Sequence, residues 1–487
     1  MIYDARVYLA QLVMEKTRVQ IKMETRQKKL NKSCDKIVRN RNSKNQIAIH
    51  NLNDDCLTHI FQCLSIIDRV KIEIVCKHWR DVGRKSWQNV KTLDKNVTIW
   101  GFDITRTEPS WMNDIFKTVL QRCGFYLRRD FCPNLEFIQM GSVNLTPMSV
   151  MSWTKNVHKL TENAFDNCTE CCNDTLLSKL FMQSKRLQSL KIMHNNVLTG
   201  KCLLSLPVSM KAIVIDSCPN ISFNQLNNVL ERHCDQLEKL SLTKSCHVHF
   251  PTDANATLKM PTTLKIVEIR WCKVFNIDCI LEMRNLEKLV LNGLDFLTDD
   301  FLVTLTSNCK MLYHLNIDAC NNITNVGLRE VVRLPRIEYL SLKRLSSITD
   351  SALTHIPNLK KLFCTCCINV ADDGICTLIE TCDSIEVLDV SYCCNITNRL
   401  VECAVNATRY RTNNVVLNLY LNGTSVMPYE FFTDYELLHL SLPNSYNDDL
   451  ADEFKDDLMS GDNEYREMIM AWRAVFPDEQ INLIDFQ

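Results

Sequence analysis

Between residues 130 and 445 the chain returns to one short phrase: apolar, two variable positions, apolar, one variable position, apolar. It reads Leu237-Leu240-Leu242, Leu264-Val267-Ile269, Leu286-Leu289-Leu291 and Leu312-Leu315-Ile317, then Ile337-Leu340-Leu342, Leu359-Leu362-Cys364 and Ile385-Leu388-Val390. Weaker copies begin at Leu135, Leu187, Met210, Val416 and Leu437, with a doubtful one at Val157. The clear copies start at 237, 264, 286, 312, 337, 359 and 385, in steps of 22 to 27 residues. Alternation over the last residues of the phrase predicts a short strand with one face buried.

The second half of each unit repeats too. An apolar residue, Thr or Ala, then Asp or Asn recurs as Leu297-Thr298-Asp299, Ile323-Thr324-Asn325, Ile348-Thr349-Asp350, Val370-Ala371-Asp372 and Ile396-Thr397-Asn398. Asp and Asn are strong helix N-caps, because the side-chain oxygen accepts a free amide of the first turn. The segments that follow, such as VGLREVV, have helical apolar spacing. Each unit therefore reads as strand, turn, short helix. Strands stack ~4.8 Å apart while helices with side chains are ~10 Å wide, so such an array has to curve, with strands on its concave face.

Composition changes the picture at one point, the 25 cysteines. The 46% hydrophobic and 23% charged residues and net charge of −1 are ordinary for a folded chain and announce neither nucleic acid nor membrane. Only the ends are polarised: residues 1–46 carry a balance of +8 and residues 447–487 one of −9. The start of the chain lacks the pattern of an export signal, so the expected compartment is reducing, cytoplasmic and/or nuclear, and disulfides are not expected. The repeat accounts for the thiols instead. Cys218, Cys272, Cys320, Cys367 and Cys393 each follow the last strand hydrophobe by three residues; Cys132, Cys234, Cys309 and Cys382 precede the first by three. A free cysteine is a small buried hydrophobe suited to tight turns. This spacing resembles the cysteine-containing leucine-rich repeats, with the consensus C-x-x-L-x-x-L-x-L-x-x-C-x-x-I-T-D, over roughly 300 residues.

Ahead of the repeats, residues 50–87 carry apolar stripes at Leu57, Ile60, Phe61 and Leu64 and at Val70, Ile74 and Val75. Leu52, Ile60-Phe61, Leu64, Val75-Cys76, Trp79 and Trp87 fall at the intervals of the F-box motif, which this segment resembles. Three positions depart from it: Asn53 where the family has Pro, Asp55 where it has Glu, and Arg69 in place of an apolar residue. In the family this helical motif docks a Skp-type adaptor and through it a cullin-RING ubiquitin ligase. The resemblance therefore implies adaptor contact at Leu52, Asp54, Leu57, Ile60, Phe61, Leu64 and Val75, with Trp79 read as support for the motif's own core.

The expected fold class is thus α/β, a leucine-rich-repeat solenoid (horseshoe) preceded by a small all-helical F-box. Its expected parts are a basic tail over 1–46, the F-box over 47–90, a bridge with a degenerate first repeat over 91–134, the solenoid over 135–445 and an acidic cap or tail over 446–487. Outward strand positions include Glu268, Lys288, His314, Asn316, Asp318, Lys343, Lys361 and Asp389. Among them Arg270, Tyr339, Phe363 and Tyr420 are the expected anchors for a protein substrate, because aromatics and Arg dominate interfaces.

Other motifs weigh less. Asn220, Asn322 and Asn395 head N-x-S/T triplets, which the repeat explains as its turn. Cys168-x-x-Cys171-Cys172, in a span 141–186 that reads as irregular, is the strongest metal candidate, ahead of Cys246-His247-x-His249. A structural zinc site needs two spaced pairs, so no metal is assigned. Lys28-Lys29 and Arg39-x-Arg41 fit a solvated tail. No phosphate loop or nucleophile motif appears, so neither enzyme chemistry nor a cofactor is expected. The implied function is that of a non-catalytic substrate receptor of a Skp-cullin-F-box ligase. The alternative is a ligase-independent leucine-rich scaffold with a decayed F-box.

Overall fold

The computed structural model describes residues 52–93, 134–141, 159–168, 172–233, 235–245, 258–272, 277–353, 356–427 and 436–441. The two charged ends, most of the bridge, and Cys132, Val157, Cys171, Cys234 and the Cys246–His249 run lie outside these residues. The chain divides into two compact units, 1–348 and 349–487.

In the first unit three helices come first: α1 (Asp54–Gln62), α2 (Ile66–Ile72) and α3 (Lys77–Ser86). A single 3₁₀ turn at Trp87–Asn89 then leads into β1 (Thr92–Leu93). Nine more parallel strands follow among the described residues, each paired in register with the one before it. They are β2 (Phe137–Gly141), β3 (Glu162–Asp166), β4 (Ser189–Met193), β5 (Ala212–Asp216), β6 (Lys239–Thr243), β7 (Ile266–Arg270), β8 (Lys288–Asn292), β9 (His314–Asn316) and β10 (Tyr339–Ser341). The returning segments are α4 (Asp174–Gln183), α5 (Phe223–Arg232), α6 (Asp299–Asn308) and α7 (Asn325–Val331), with 3₁₀ turns at Lys201–Ser205 and Asp278–Glu282. The phrase leucines make the core: Leu190, Ile213, Leu240, Val267, Leu289, Leu315 and Leu340 are all buried in one register row.

The second unit repeats the plan. It has β11 (Lys361–Phe363), α8 (Asp372–Thr381), β12 (Val387–Asp389), α9 (Asn398–Arg409), β13 (Leu417–Tyr420) and β14 (Leu438–Ser441), with its strands again parallel and in register. A 3₁₀ turn at Asp350–Ala352 precedes β11.

Two sequence expectations change. The described part of the span 141–186 is not irregular, since it holds β3 and α4. Register places Asn163 opposite Leu190 and Phe165 opposite Ile192, so the phrase there is Leu160-Asn163-Phe165 rather than one starting at Val157. A buried Asn in a leucine position hides this copy. The Asp of the Thr-Asp pair does not cap its own helix either. Thr298, Thr324, Thr349 and Thr397 hold the extended N-cap conformation, and the next residue is already helical. The carboxylate reaches instead into the following repeat. Asp299 accepts from Thr324 N (2.9 Å) and Thr324 Oγ1 (2.6 Å), and Asp372 does the same with Thr397 at 2.9 and 2.6 Å. Asp174 accepts from Thr199 N, Thr199 Oγ1 and Cys202 N at 2.8–2.9 Å. In the first turn of a helix it also faces the positive end of the helix dipole.

The cysteines tie strand to strand. The Cys320 thiol donates to the Leu291 carbonyl of the previous repeat (2.9 Å), Cys393 to Cys364 (3.1 Å) and Cys272 to Leu242 (3.5 Å). Burial pushes the Cys218 and Cys320 thiols up to about 12 and those of Cys272 and Cys309 to about 11. These are packing groups rather than nucleophiles. The Asn residues of the N-x-S/T triplets are committed in the same way: Asn220, Asn322 and Asn395 donate their amides to Asn196, Asp295 and Ile368 carbonyls one repeat back.

Candidate interaction surfaces

The helical segment is built around a small core of Leu57, Phe61, Ile72, Trp79 and Val82. Phe61 meets Trp79 edge-on at 5.3 Å, a favoured aromatic geometry. Each helix start is capped: Asn53 Oδ1 accepts from Cys56 N (2.8 Å), Ser65 Oγ from Asp68 N (3.2 Å) and Cys76 Sγ from Trp79 N (3.3 Å). Asp54 and Asp55 add negative charge in the first turn of α1, where the dipole favours it.

Arg69 fastens the helix ends. Its Nε donates to the Leu64 carbonyl (3.0 Å), Nη1 to that of Ser86 (3.1 Å) and Nη2 to that of Gln62. One guanidinium thereby satisfies carbonyls at the end of α1, just after it, and at the end of α3. The fully buried Trp87 indole donates to buried Glu73 Oε1 (3.1 Å), while Arg80 Nε donates to the Glu73 carbonyl (3.0 Å). Two of the three departures, Asn53 and Arg69, are structural fasteners here.

The expected adaptor residues divide in two. Leu57 and Phe61 are fully buried inside the helical core, so they shape the surface from beneath and are not on it. That corrects their assignment: the i, i+4 pair is the inward stripe of α1, and the outward residues lie on its flanks. Leu52, Ile60, Leu64 and Val75 are partly exposed at the rim of that core. Asp54 is exposed, with Lys85 Nζ at 3.4 Å and His78 Nε2 at 3.5 Å. Ile74 was not expected at the contact surface, yet it stands 63% exposed beside Val75. It sits in the turn after α2, which ends at Ile72, so the helical stripe drawn from Val70 through Ile74 does not continue to it.

On the strand face of the first unit, Lys239, Ile266, Lys288, His314 and Tyr339 fall in one register row across β6–β10. His314 and Tyr339 stack, centroids 3.8 Å apart and 8° from parallel. Glu268 lies one row further, its side chain 8% exposed, with Lys288 Nζ at 2.9 Å, Arg270 Nη1 at 3.7 Å and Ser241 Oγ donating at 3.1 Å. Burial works to raise its carboxyl, but Arg270, Lys288 and Lys239 outweigh it and bring it down to about 2. Asp318, also buried, accepts from Ser341 Oγ (2.7 Å) and Lys343 N (2.8 Å).

The four expected anchors fare differently. Arg270 and Tyr339 are half-buried on this face, three strands apart. In the second unit Phe363, Asp389 and Tyr420 share a register row, and Tyr420 is half-buried. Phe363 is only 2% exposed and Asp389 is buried. The outward parity of Phe363 is right, but a ring lying among strands ~4.8 Å apart is covered rather than presented, so Phe363 is not an accessible anchor. Asp389 is bonded by Thr365 Oγ1 and Ser391 N, both at 2.9 Å. Cys168 and Cys172 are buried, and among the described residues no cluster of three or more His, Cys, Asp or Glu is placed to hold a metal.

A family match and one solved structure agree with this architecture, and two further likenesses are weaker. Residues 49–90 match the F-box domain. A chain of the Rad7–Elc1 complex in yeast is similar in structure, with a TM-score of 0.51 and 16% identity, covering 88% of this chain and 96% of that one. An internalin of Listeria monocytogenes gives a TM-score of 0.36 at 16% identity, covering 65% of this chain and 82% of its own. A putative RNA-binding protein of Caenorhabditis elegans, EEED8.10, is 20% identical over 436 residues; the match takes in 79% of this chain and 55% of that protein, about half its length. The chain is an F-box domain joined to a leucine-rich-repeat solenoid.

Proposed function

We propose that the chain is the substrate receptor of a ubiquitin ligase. In this reading its F-box docks a Skp-type adaptor that recruits a cullin-RING enzyme, and its strand face holds the protein to be modified. The observation that carries it is the F-box match at residues 49–90. Those helices form their own core and leave Leu52, Ile60, Leu64, Val75 and Ile74 as apolar groups at the outside. The chain then supplies position rather than chemistry, raising the effective concentration of substrate lysines near the recruited enzyme. Asn53 and Arg69 act as cap and clamp, which supports a working F-box over a decayed one. The reading places the protein in the cytosol or nucleus.

The test is affinity purification of the full chain from cells, with and without Ile60→Asp plus Ile74→Asp. Adaptor and cullin peptides present with the wild type and lost with the variant support the reading. Their absence from the wild-type sample sinks it in favour of the ligase-independent scaffold.

A further inference from the structure

The strand face of the first unit holds a cationic triangle with a buried acid at its centre. Lys239 and Lys288 stand in one register row on either side of Ile266, two strand spacings or about 10 Å apart. Arg270 completes the triangle two residues beyond Glu268 on β7. Glu268 stays ionised and neutralises one of the three charges, leaving a local balance of +2. Among the nearby acids Glu238 pairs with Lys265 at 3.1 Å. Asp216 on β5 and Asp318 accept from neutral donors, Ser217 Oγ, Ser341 Oγ and Lys343 N, and keep their charge, so the balance of +2 is that of Lys239, Glu268, Arg270 and Lys288 themselves. The side chains of Arg270 and Lys288 remain 32% and 27% exposed. Glu268 thus holds them upright on the face with hydrogen-bonding capacity to spare, since a guanidinium has five donors and an ammonium three.

From this we infer that the triangle of Lys239, Arg270 and Lys288 binds an acidic segment of a partner protein, one presenting carboxylate or phosphate side chains. The inference rests on the receptor reading only in calling that partner a substrate. Charge complementarity on a partly desolvated face gives specificity and speed of encounter more than bulk affinity. Single-stranded nucleic acid suits the face less well. It calls for successive free rings beside a cationic track, whereas His314 and Tyr339 are stacked on each other and the cations cluster to one side of them.

Fluorescence anisotropy on the purified full-length protein tests this without any adaptor present. The probes are a labelled ten-residue Glu-rich peptide, its Gln counterpart, a phosphoserine counterpart and a ten-nucleotide RNA. The Glu or phosphoserine peptide should bind at least about tenfold more tightly than the Gln peptide, and weaken as salt is raised. Phosphoserine above Glu assigns a phosphorylated partner; parity assigns a plain acidic one. Arg270→Glu plus Lys288→Glu should remove the preference, and Lys179→Glu plus Lys185→Glu, at exposed positions on α4 and in the turn after it, should not. Lys239→Glu leaves both Glu268 ion pairs in place and gives the same reading if the double reversal fails to fold. Equal binding of the Glu and Gln peptides, indifference to all the reversals on the face, or preference for RNA overturns the inference. Adaptor association is scored separately, so peptide discrimination without adaptor fails only the ligase reading, and adaptor without discrimination fails only this one.

Discussion

A Cβ built on Gly293 would lie 2.0 Å from Cε3 of Trp271, so the indole of one repeat rests on the bare backbone of the next. Both residues sit at the left-handed turn that ends their strands, with φ of +64° and +54°. Tyr392 and Gly423 repeat the arrangement, at 2.5 Å from Cδ1. Where the turn residue is an aromatic, the following repeat uses glycine both for its positive φ and for the space. Gly293→Ala should therefore cost about 2–3 kcal/mol, combining overpacking with left-handed strain. Adding Trp271→Ala should return the overpacking part and leave about 1 kcal/mol of strain. Urea unfolding of the two single variants and the double reads this directly; additive losses would refute the contact.

Arg69 makes the second prediction. Replacing it by Leu, closer to the F-box pattern, removes donors from the carbonyls of Gln62, Leu64 and Ser86. Carbonyls left without a partner in a part-buried site should cost the helical segment about 2–4 kcal/mol in total. Hydrogen exchange should show faster opening of residues 54–86 with the repeats of the second unit unchanged. A variant with wild-type protection would show that water replaces the guanidinium freely.

Much of this architecture was legible in the sequence because the repeat states each core position many times. Leu240, Leu289 and Leu315 confirm one another, and the cysteine spacing confirms them again. What was missed lay where a single residue breaks the phrase or where chemistry acts between repeats. Asn163 hid a strand, Ile74 was read into a helical stripe but lies in the turn beyond the helix end, and the Asp299–Thr324 bonds join residues 25 apart. Outward parity was read correctly for Phe363 and Asp389, but parity says which face a side chain takes and not whether neighbours cover it.

Asn163 is a polar residue in a leucine position. It is 2% exposed, and neither its amide nitrogen nor its oxygen has a hydrogen-bond partner among the described residues. Its register neighbour is Leu190 on β4. Asn163→Leu should stabilise the protein by about 1–3 kcal/mol, since a buried amide without partners carries its full desolvation cost. A raised urea midpoint at unchanged slope is the expected result; a lowered midpoint would mean that the pocket is shaped for the amide.

Among the described residues, the carboxylate ladder between repeats has an incomplete rung at Asp350. Thr324 and Thr397 give both a backbone amide and a hydroxyl to the Asp of the preceding repeat, but Ala371 gives Asp350 only its amide, at 2.7 Å. Ala371→Thr should supply the missing donor and add about 0.5–1.5 kcal/mol. Asp299→Ala, which breaks a complete rung, should cost about 1–3 kcal/mol by leaving the Thr324 amide unpaired. Opposite shifts in thermal midpoint check both substitutions at once. Two losses would mean that position 371 lacks room for the extra atoms.

His233 sets a pH dependence. The ring is 2% exposed, and burial, with Arg232 beside it, holds its pKa below the usual imidazole value. The folded protein therefore keeps this ring neutral over a range in which the unfolded chain protonates it. Its contribution is fully present above pH ~6.5 and is lost as pH falls through the folded pKa. Glu268 and Asp174 have lowered pKa values too, but as carboxylates their stabilisation is lost only below pH ~4, so the windows separate. Urea midpoints measured from pH 8 to pH 5 should fall for the wild type from about pH 6.5 downward. In His233→Leu that decline should be shallower, with the difference between the two proteins widening toward pH 5. Parallel profiles would show that the ring takes up a proton without leaving its site.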